Sequence, residues 1–248
     1  TIKRVEAFCG NTAVCPRPKY EGEMGTKGLE KVGKRLPQQD VQDLAWSTLK
    51  VAVVVPSCSG LWPARFGESL ANMVTYFQGS HFEGDHEIKV FSFCGKVMPE
   101  IRHHLIGESI AWGATHVLML QPEITFPVDS IHQLLARGRA IIGVNYLTDI
   151  IKNDYAAYRK NGTVHPDPKG PETEAVDGVV PGMVLFNIPV FDVLEIPFFI
   201  HQQIDDTPGF TEDHIGFWEQ VKKHKIPCVI DHKLSLEIKS LHHGELWH

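Results

Sequence analysis

Three sets of residues in this 248-residue chain have side chains suited to chemistry. Glu123 stands three positions beyond the apolar run His116–Leu120, Glu212 and Asp213 form an acidic pair, and His242 and His243 form an imidazole pair. A carboxylate and an imidazole drawn from distant parts of a chain suit a Mn²⁺ or Mg²⁺ ion carrying a diphosphate. A separate carboxylate suits removal of a proton from an attacking hydroxyl. Each residue also has a plainer reading. Acids in the first turn of a helix stabilise its dipole by ~0.3–1 kcal/mol without any chemistry. Among 14 histidines His242 fits an exposed tail, Glu123 beside Pro122 fits a polar turn, and Arg102 fits a surface charge.

The elements that must position these residues follow an α/β alternation from Lys50 onward. Lys50–Val55 is a β-branched run stopped by Pro56, and predicts a strand buried on both faces. Phe66, Leu70, Met73, Val74 and Phe77 recur at helical spacing. Glu87–Phe93 alternates like a strand, and Pro99–Trp112 predicts a helix that Gly113 ends. His116–Leu120 is the next strand. A helix over Ile131–Arg137 follows, capped by Asp129 or Ser130 and stopped by Gly138, and then a strand over Ala140–Val144. The polar stretch Asn153–Asp177 has no period and predicts a functional loop or lid. Order returns at Gly182–Phe186 and Val190–Leu194, with a helix from Thr211 to about His224 and a strand over Ile226–Ile230. Interleaved strands and helices imply an α/β fold with a mostly parallel, Rossmann-like sheet flanked by helices. Ligands of such sheets bind at the carboxyl ends of the strands, which selects Pro56–Gly60, Gln121–Glu123 and the loop after Val144. No dinucleotide fingerprint, phosphate-binding loop or nucleophile elbow occupies those places.

Composition narrows the class. The chain is 43% hydrophobic and 22% charged, as expected of a globular protein, and its longest aliphatic run, Val51–Val55, is too short to span a bilayer. The formal net charge of −6 argues against a protein that grips nucleic acid by phosphate neutralisation. Five scattered cysteines predict no disulfide framework. Cys58, Cys94 and Cys228 lie in or beside apolar runs, where a thiol acts as a small hydrophobe, and Cys9 and Cys15 are expected to be reduced. A cytoplasmic location is expected, although a chain that begins at Thr1 leaves a removed targeting segment open. Residues 1–45 read as an irregular arm before a domain over 46–248. The arm is locally basic, with eight Lys and Arg against four Glu between Lys3 and Arg35. It suits a solvated wrap or an acceptor-binding extension.

Three blocks resemble the family-2-like glycosyltransferases of the GT-A fold. The first is HLIGESIAWGATHVLMLQPEITFPVDSIHQLLARGRAIIGVNY (104–146), in which Gln121-Pro122-Glu123 stands where that family has an acidic D-x-D. The others are VVPGMVLFNIPVFDVLEIPFF (179–199) and TEDHIGFWEQVKKHKIPCVIDHKLSLEIKSLHH (211–243), while KVAVVVPS (50–57) is similar to the family's first strand. The resemblance implies transfer of a sugar from a nucleoside-diphosphate sugar, UDP-linked by preference, to an acceptor hydroxyl of a glycan, a protein or a modified nucleic acid.

It also implies roles for individual residues. Pro56 and Ser57 would lie against the nucleobase and Arg102 near the nucleotide. Glu123 and His242 (or His243) would hold a Mn²⁺ or Mg²⁺ ion. Asp213, beside Glu212, would be the general base, and 153–177 the lid. Gln121 departs from the pattern. A neutral amide removes one negative charge from a cation site, while it can still hydrogen-bond a ribose hydroxyl. The metal then arrives with the diphosphate, or basic residues carry the leaving-group charge instead. Two further readings stay open: a phage-type transferase that modifies a DNA base, and a non-catalytic nucleotide-sugar or partner-binding module.

Overall fold

The computed structural model describes residues 48–82, 84–149, 152–201 and 212–241. The arm over 1–45, its boundary with the following domain, and His242 and His243 lie outside the described residues. The first strand, β1 (Thr48–Ser57), leads to α1 (Ala64–Gln78), β2 (Asp85–Cys94), α2 (Met98–Ala111) and β3 (His116–Leu120). Next come β4 (Ile124–Thr125), α3 (Ser130–Ala136), β5 (Ile141–Val144), β6 (Leu147–Asp149) and β7 (Asp154–Tyr155). They are followed by β8 (Ala157–Arg159), β9 (Gly162–Thr163), β10 (Thr173–Val176), β11 (Gly178–Val179) and β12 (Met183–Asn187). The chain continues through α4 (Pro189–Val193), α5 (Asp213–Lys223), β13 (Cys228–Asp231), α6 (His232–Ser235) and β14 (Lys239–Ser240).

Seven strands form the main sheet in the order β10-β13-β5-β12-β3-β1-β2. Parallel pairing joins β2 to β1, β1 to β3 and β13 to β5, while β12 runs antiparallel between β3 and β5 and β10 runs antiparallel to β13. Five strands therefore share one direction, as the α/β alternation predicts. Val51, Ala52, Val53, Val54 and Val55 are fully buried because β1 is flanked by strands on both sides and covered on its faces. Full burial of a valine is worth about 1.5–3 kcal/mol, so this strand is a main source of cohesion. Helix α1 buries Phe66, Leu70, Met73 and Phe77, the positions at helical spacing, and α2 buries Ile101, Leu105 and Ile106.

Several local expectations are corrected. Asn153–Asp177 is not an unstructured lid. It contains β7, β8, β9 and β10; β8 pairs with β9 and β11, and β10 joins the main sheet. Strands of two to four residues are too short to show a period, and here polar partners hold them. The Asn145 side chain, fully buried, donates to the Val164 carbonyl at 2.5 Å and accepts from the Ala157 N–H at 2.9 Å. Val190–Leu194 falls on a short helix, α4, with Pro189 in its first turn. Neither Asp129 nor Ser130 caps α3 through its side chain. Asp129 accepts instead from Gln133 Nε2 at 3.1 Å, and the Ser130 hydroxyl donates to the Pro127 carbonyl at 2.7 Å. Cys228 is buried as expected, but Cys58 and Cys94 are exposed, because β1 and β2 run out at the sheet's carboxyl edge just there.

Candidate functional site

Gln121 follows the last residue of β3, and its N–H donates to the Gly182 carbonyl at 2.8 Å. Its side-chain Oε1 accepts a hydrogen bond from the Tyr146 hydroxyl at 3.1 Å. Tyr146 lies two residues beyond β5 and is only 4% exposed. Its ring rests on the backbone of Gly182, where a Cβ would stand 2.2 Å from the phenolic oxygen. Burial pushes the Tyr146 phenol well above its ordinary value. The carboxylates of Glu123 and Glu212 add to that rise, and the Arg102 guanidinium opposes it. Three charged residues from separate parts of the chain thus act on this one hydroxyl.

Arg102 is not the surface charge that a helix position suggests. It is 3% exposed on α2, and its Nη1 donates to both carboxylate oxygens of Asp213, to Oδ2 at 2.5 Å. Its guanidinium also lies 5.5 Å from the ring centroid of Phe199. The Nε of Arg102 is shut off from solvent and has no hydrogen-bond partner. Asp213 is 5% exposed as the first residue of α5, so its carboxylate serves this ion pair more than the helix dipole. Glu212 occupies the N-cap position without a side-chain cap, because its carboxylate, 78% exposed, sits 3.3 Å from His214 Nδ1. Thr211, expected as the cap, lies outside the described residues. Burial lowers the affinity of His214 for a proton, with Arg102 acting in the same direction and Glu212 and Asp213 opposing.

The candidate residues are therefore partly convergent. Gln121 bonds Tyr146 directly, the charges of Glu123, Arg102 and Glu212 bear on its phenol, and Asp213 is joined to Arg102. Pro56 and Ser57 are buried at the end of the neighbouring strand β1, beside β3. The Ser57 hydroxyl accepts from the Gly60 N–H at 2.9 Å, closing a turn in which Gly60 adopts φ +70°. That left-handed conformation suits glycine and explains this residue type there. His242 lies outside the described residues. Leu241, the residue before it, donates its N–H to the Glu123 carbonyl at 2.7 Å where β14 pairs with β4.

A divalent cation would need carboxylate or imidazole ligands converging at this edge. Among the described residues no group of three or more His, Cys, Asp and Glu side chains is arranged to hold one. Gln121 is neutral and its amide oxygen already accepts from Tyr146, while both Asp213 oxygens are engaged by a guanidinium. Without His242, which lies outside them, the described residues do not by themselves form a site for Mn²⁺ or Mg²⁺.

Tyr146, Gly182, Phe199 and His214 belong to the site and were not singled out by sequence. The loop after Val144 was expected to carry contacts, but no spacing marks Tyr146 within it. A groove of about 580 Å³ on the β8–β9 hairpin, lined by Arg159, Thr163, His165, Asp167 and Glu174 among others, includes none of these side chains. Convergence of charge, rather than cavity size, marks the candidate site.

No known family model and no curated protein matches the chain. Solved structures share part of its shape. A197 from STIV is similar over 73% of this chain and 81% of its own, at 12% identity and a TM-score of 0.49. The catalytic domain of Drosophila beta1,4galactosyltransferase 7, in complex with xylobiose, covers 81% of this chain and 73% of that one, at 12% identity and 0.42. The nucleoside-diphosphate-sugar pyrophosphorylase from Vibrio cholerae RC9 covers 80% and 98%, at 9% identity and 0.44. Likenesses this weak assign neither substrate nor chemistry to the chain.

Proposed function

We propose that the protein transfers a sugar from a nucleoside-diphosphate sugar, UDP-linked by preference, to an acceptor hydroxyl. The observation that carries this reading is the buried Arg102–Asp213 pair, whose guanidinium, together with the acids Glu123 and Glu212, bears on the Tyr146 phenol that donates to Gln121. A guanidinium with an unused Nε in a water-poor site is a strong donor for a phosphate oxygen. The reaction is a direct displacement. The acceptor oxygen bonds to the anomeric carbon, the bond from that carbon to the diphosphate oxygen breaks, and the diphosphate leaves with the electron pair. An arriving diphosphate competes with Asp213 for Arg102, and the carboxylate so loosened takes the acceptor's proton. Exposed Glu212 is the second acid within reach of the same edge. Pro56 and Ser57 are the nucleobase contacts of this reading.

Incubation with UDP-, GDP-, CDP- and dTDP-sugars tests it through the nucleoside diphosphate released. Release from one base class is expected. Asp213→Asn should abolish turnover while the folded fraction still binds that nucleotide, and Glu212→Gln, at an exposed position, serves as the variant that folds normally. Wild-type turnover in Asp213→Asn would overturn the assignment of the base. Binding without release would make the chain a nucleotide-binding module.

A further inference from the structure

We infer that the strand-end site captures the donor's diphosphate through N–H donors of Gln121 and Arg102, with no resident divalent cation, and that Tyr146 is the positioning residue that makes Gln121 a donor. This inference rests on the nucleotide-sugar reading above. An amide side chain has one acceptor end and one donor end, and which end faces a ligand depends on its fixed neighbour. Here the neighbour is a phenol that is 4% exposed and must find an acceptor once buried. The Tyr146 hydroxyl finds it in Gln121 Oε1. That choice leaves the two Nε2 hydrogens of Gln121 for whatever approaches the edge.

Gly182 fixes both partners at once. Its carbonyl takes the Gln121 backbone N–H at 2.8 Å, and its Cα face leaves so little room that a Cβ would meet the Tyr146 hydroxyl at 2.2 Å. With the main chain of Gln121 and the ring of Tyr146 both held, the phenol's O–H selects the amide orientation, because a reversed amide would take away its acceptor. An N–H₂ group facing the edge repels a cation and attracts an anion. Arg102 Nε supplies a second donor, buried and unpartnered, and a buried polar atom without a partner calls for one. Two donors of this kind suit bridging and terminal oxygens of a diphosphate.

The test is binding of UDP, GDP, CDP and dTDP to the full chain by thermal shift and calorimetry, once in EDTA and once with Mn²⁺. The wild-type protein should bind one of them with equal affinity in both conditions. Gln121→Asp and Gln121→Glu should bind it poorly in EDTA and regain affinity with Mn²⁺. Tyr146→Phe, which frees the amide to turn, should weaken binding by about 2–10-fold in EDTA. Binding that requires Mn²⁺ in the wild-type protein would overturn this inference and leave the transferase reading intact. Equal binding by both Gln121 variants and the wild-type protein in EDTA would overturn it as well. Absence of any nucleotide binding in either condition would overturn both.

Discussion

Gly182 has the narrowest tolerance of the residues at the site. A Cβ there would overlap the Tyr146 hydroxyl at 2.2 Å, on a ring that is itself buried. Gly182→Ala is expected to lower stability by about 1–3 kcal/mol through overpacking, measurable by urea denaturation, and to weaken nucleotide binding along with it. The Arg102–Asp213 pair has a different sensitivity. Removing either partner leaves a buried charge uncompensated, which costs about 3–5 kcal/mol. Arg102→Met alone should therefore destabilise strongly, while Arg102→Met combined with Asp213→Leu should recover most of the stability but none of the activity. A double-mutant cycle by denaturation, with turnover measured alongside, separates the two outcomes.

At the scale of elements, the strands that are apolar on both faces and the helices with a clear stripe were legible. β1, β3, β5, α1, α2 and α5 stand within a few residues of where their patterns place them. Legibility failed where elements are short and held by polar groups. No periodicity announces β7 to β10, and the two-residue pairing of β4 with β14 that carries the chain to Glu123 depends on residues more than a hundred positions apart. The candidate acids were readable as residue types. What they do was not, because the burial of Arg102 and its grip on Asp213 depend on how α2 packs near α5. Asn145 is the tie between β5 and the small sheet. Asn145→Ala would leave the Val164 carbonyl and Ala157 N–H unpaired, at about 1–3 kcal/mol each if they stay buried. Limited trypsin digestion should then cut faster after Arg159 and Lys160 than in the wild-type protein, at unchanged rates elsewhere.

For the whole molecule, the histidines set an acid limit. Burial lowers the proton affinity of His103, His116, His132 and His214, taking His116 down to about 4 from 6.5. Below pH 6.5 the unfolded chain binds protons at these sites that the folded chain does not, so stability falls as pH drops from 6.5 towards 4. His116 alone accounts for about 1–3 kcal/mol of that loss. A melting curve taken at each half unit of pH should show a steady decline through this window, and His116→Gln should flatten it. Among the described residues no helix is long and apolar enough to cross a membrane. The candidate residues gather at the carboxyl edge of the main sheet, where β1, β3 and β5 end, and α2 and α5 contribute the buried pair.

In the proposed reading this edge moves a sugar off a nucleoside diphosphate. Its most direct test follows free nucleoside diphosphate while the protein is offered each nucleotide-sugar in EDTA, with Asp213→Asn as the control. Release from one nucleotide class is expected of the wild-type protein without added metal, and none of the variant. No release from any donor, with or without Mn²⁺, would contradict it.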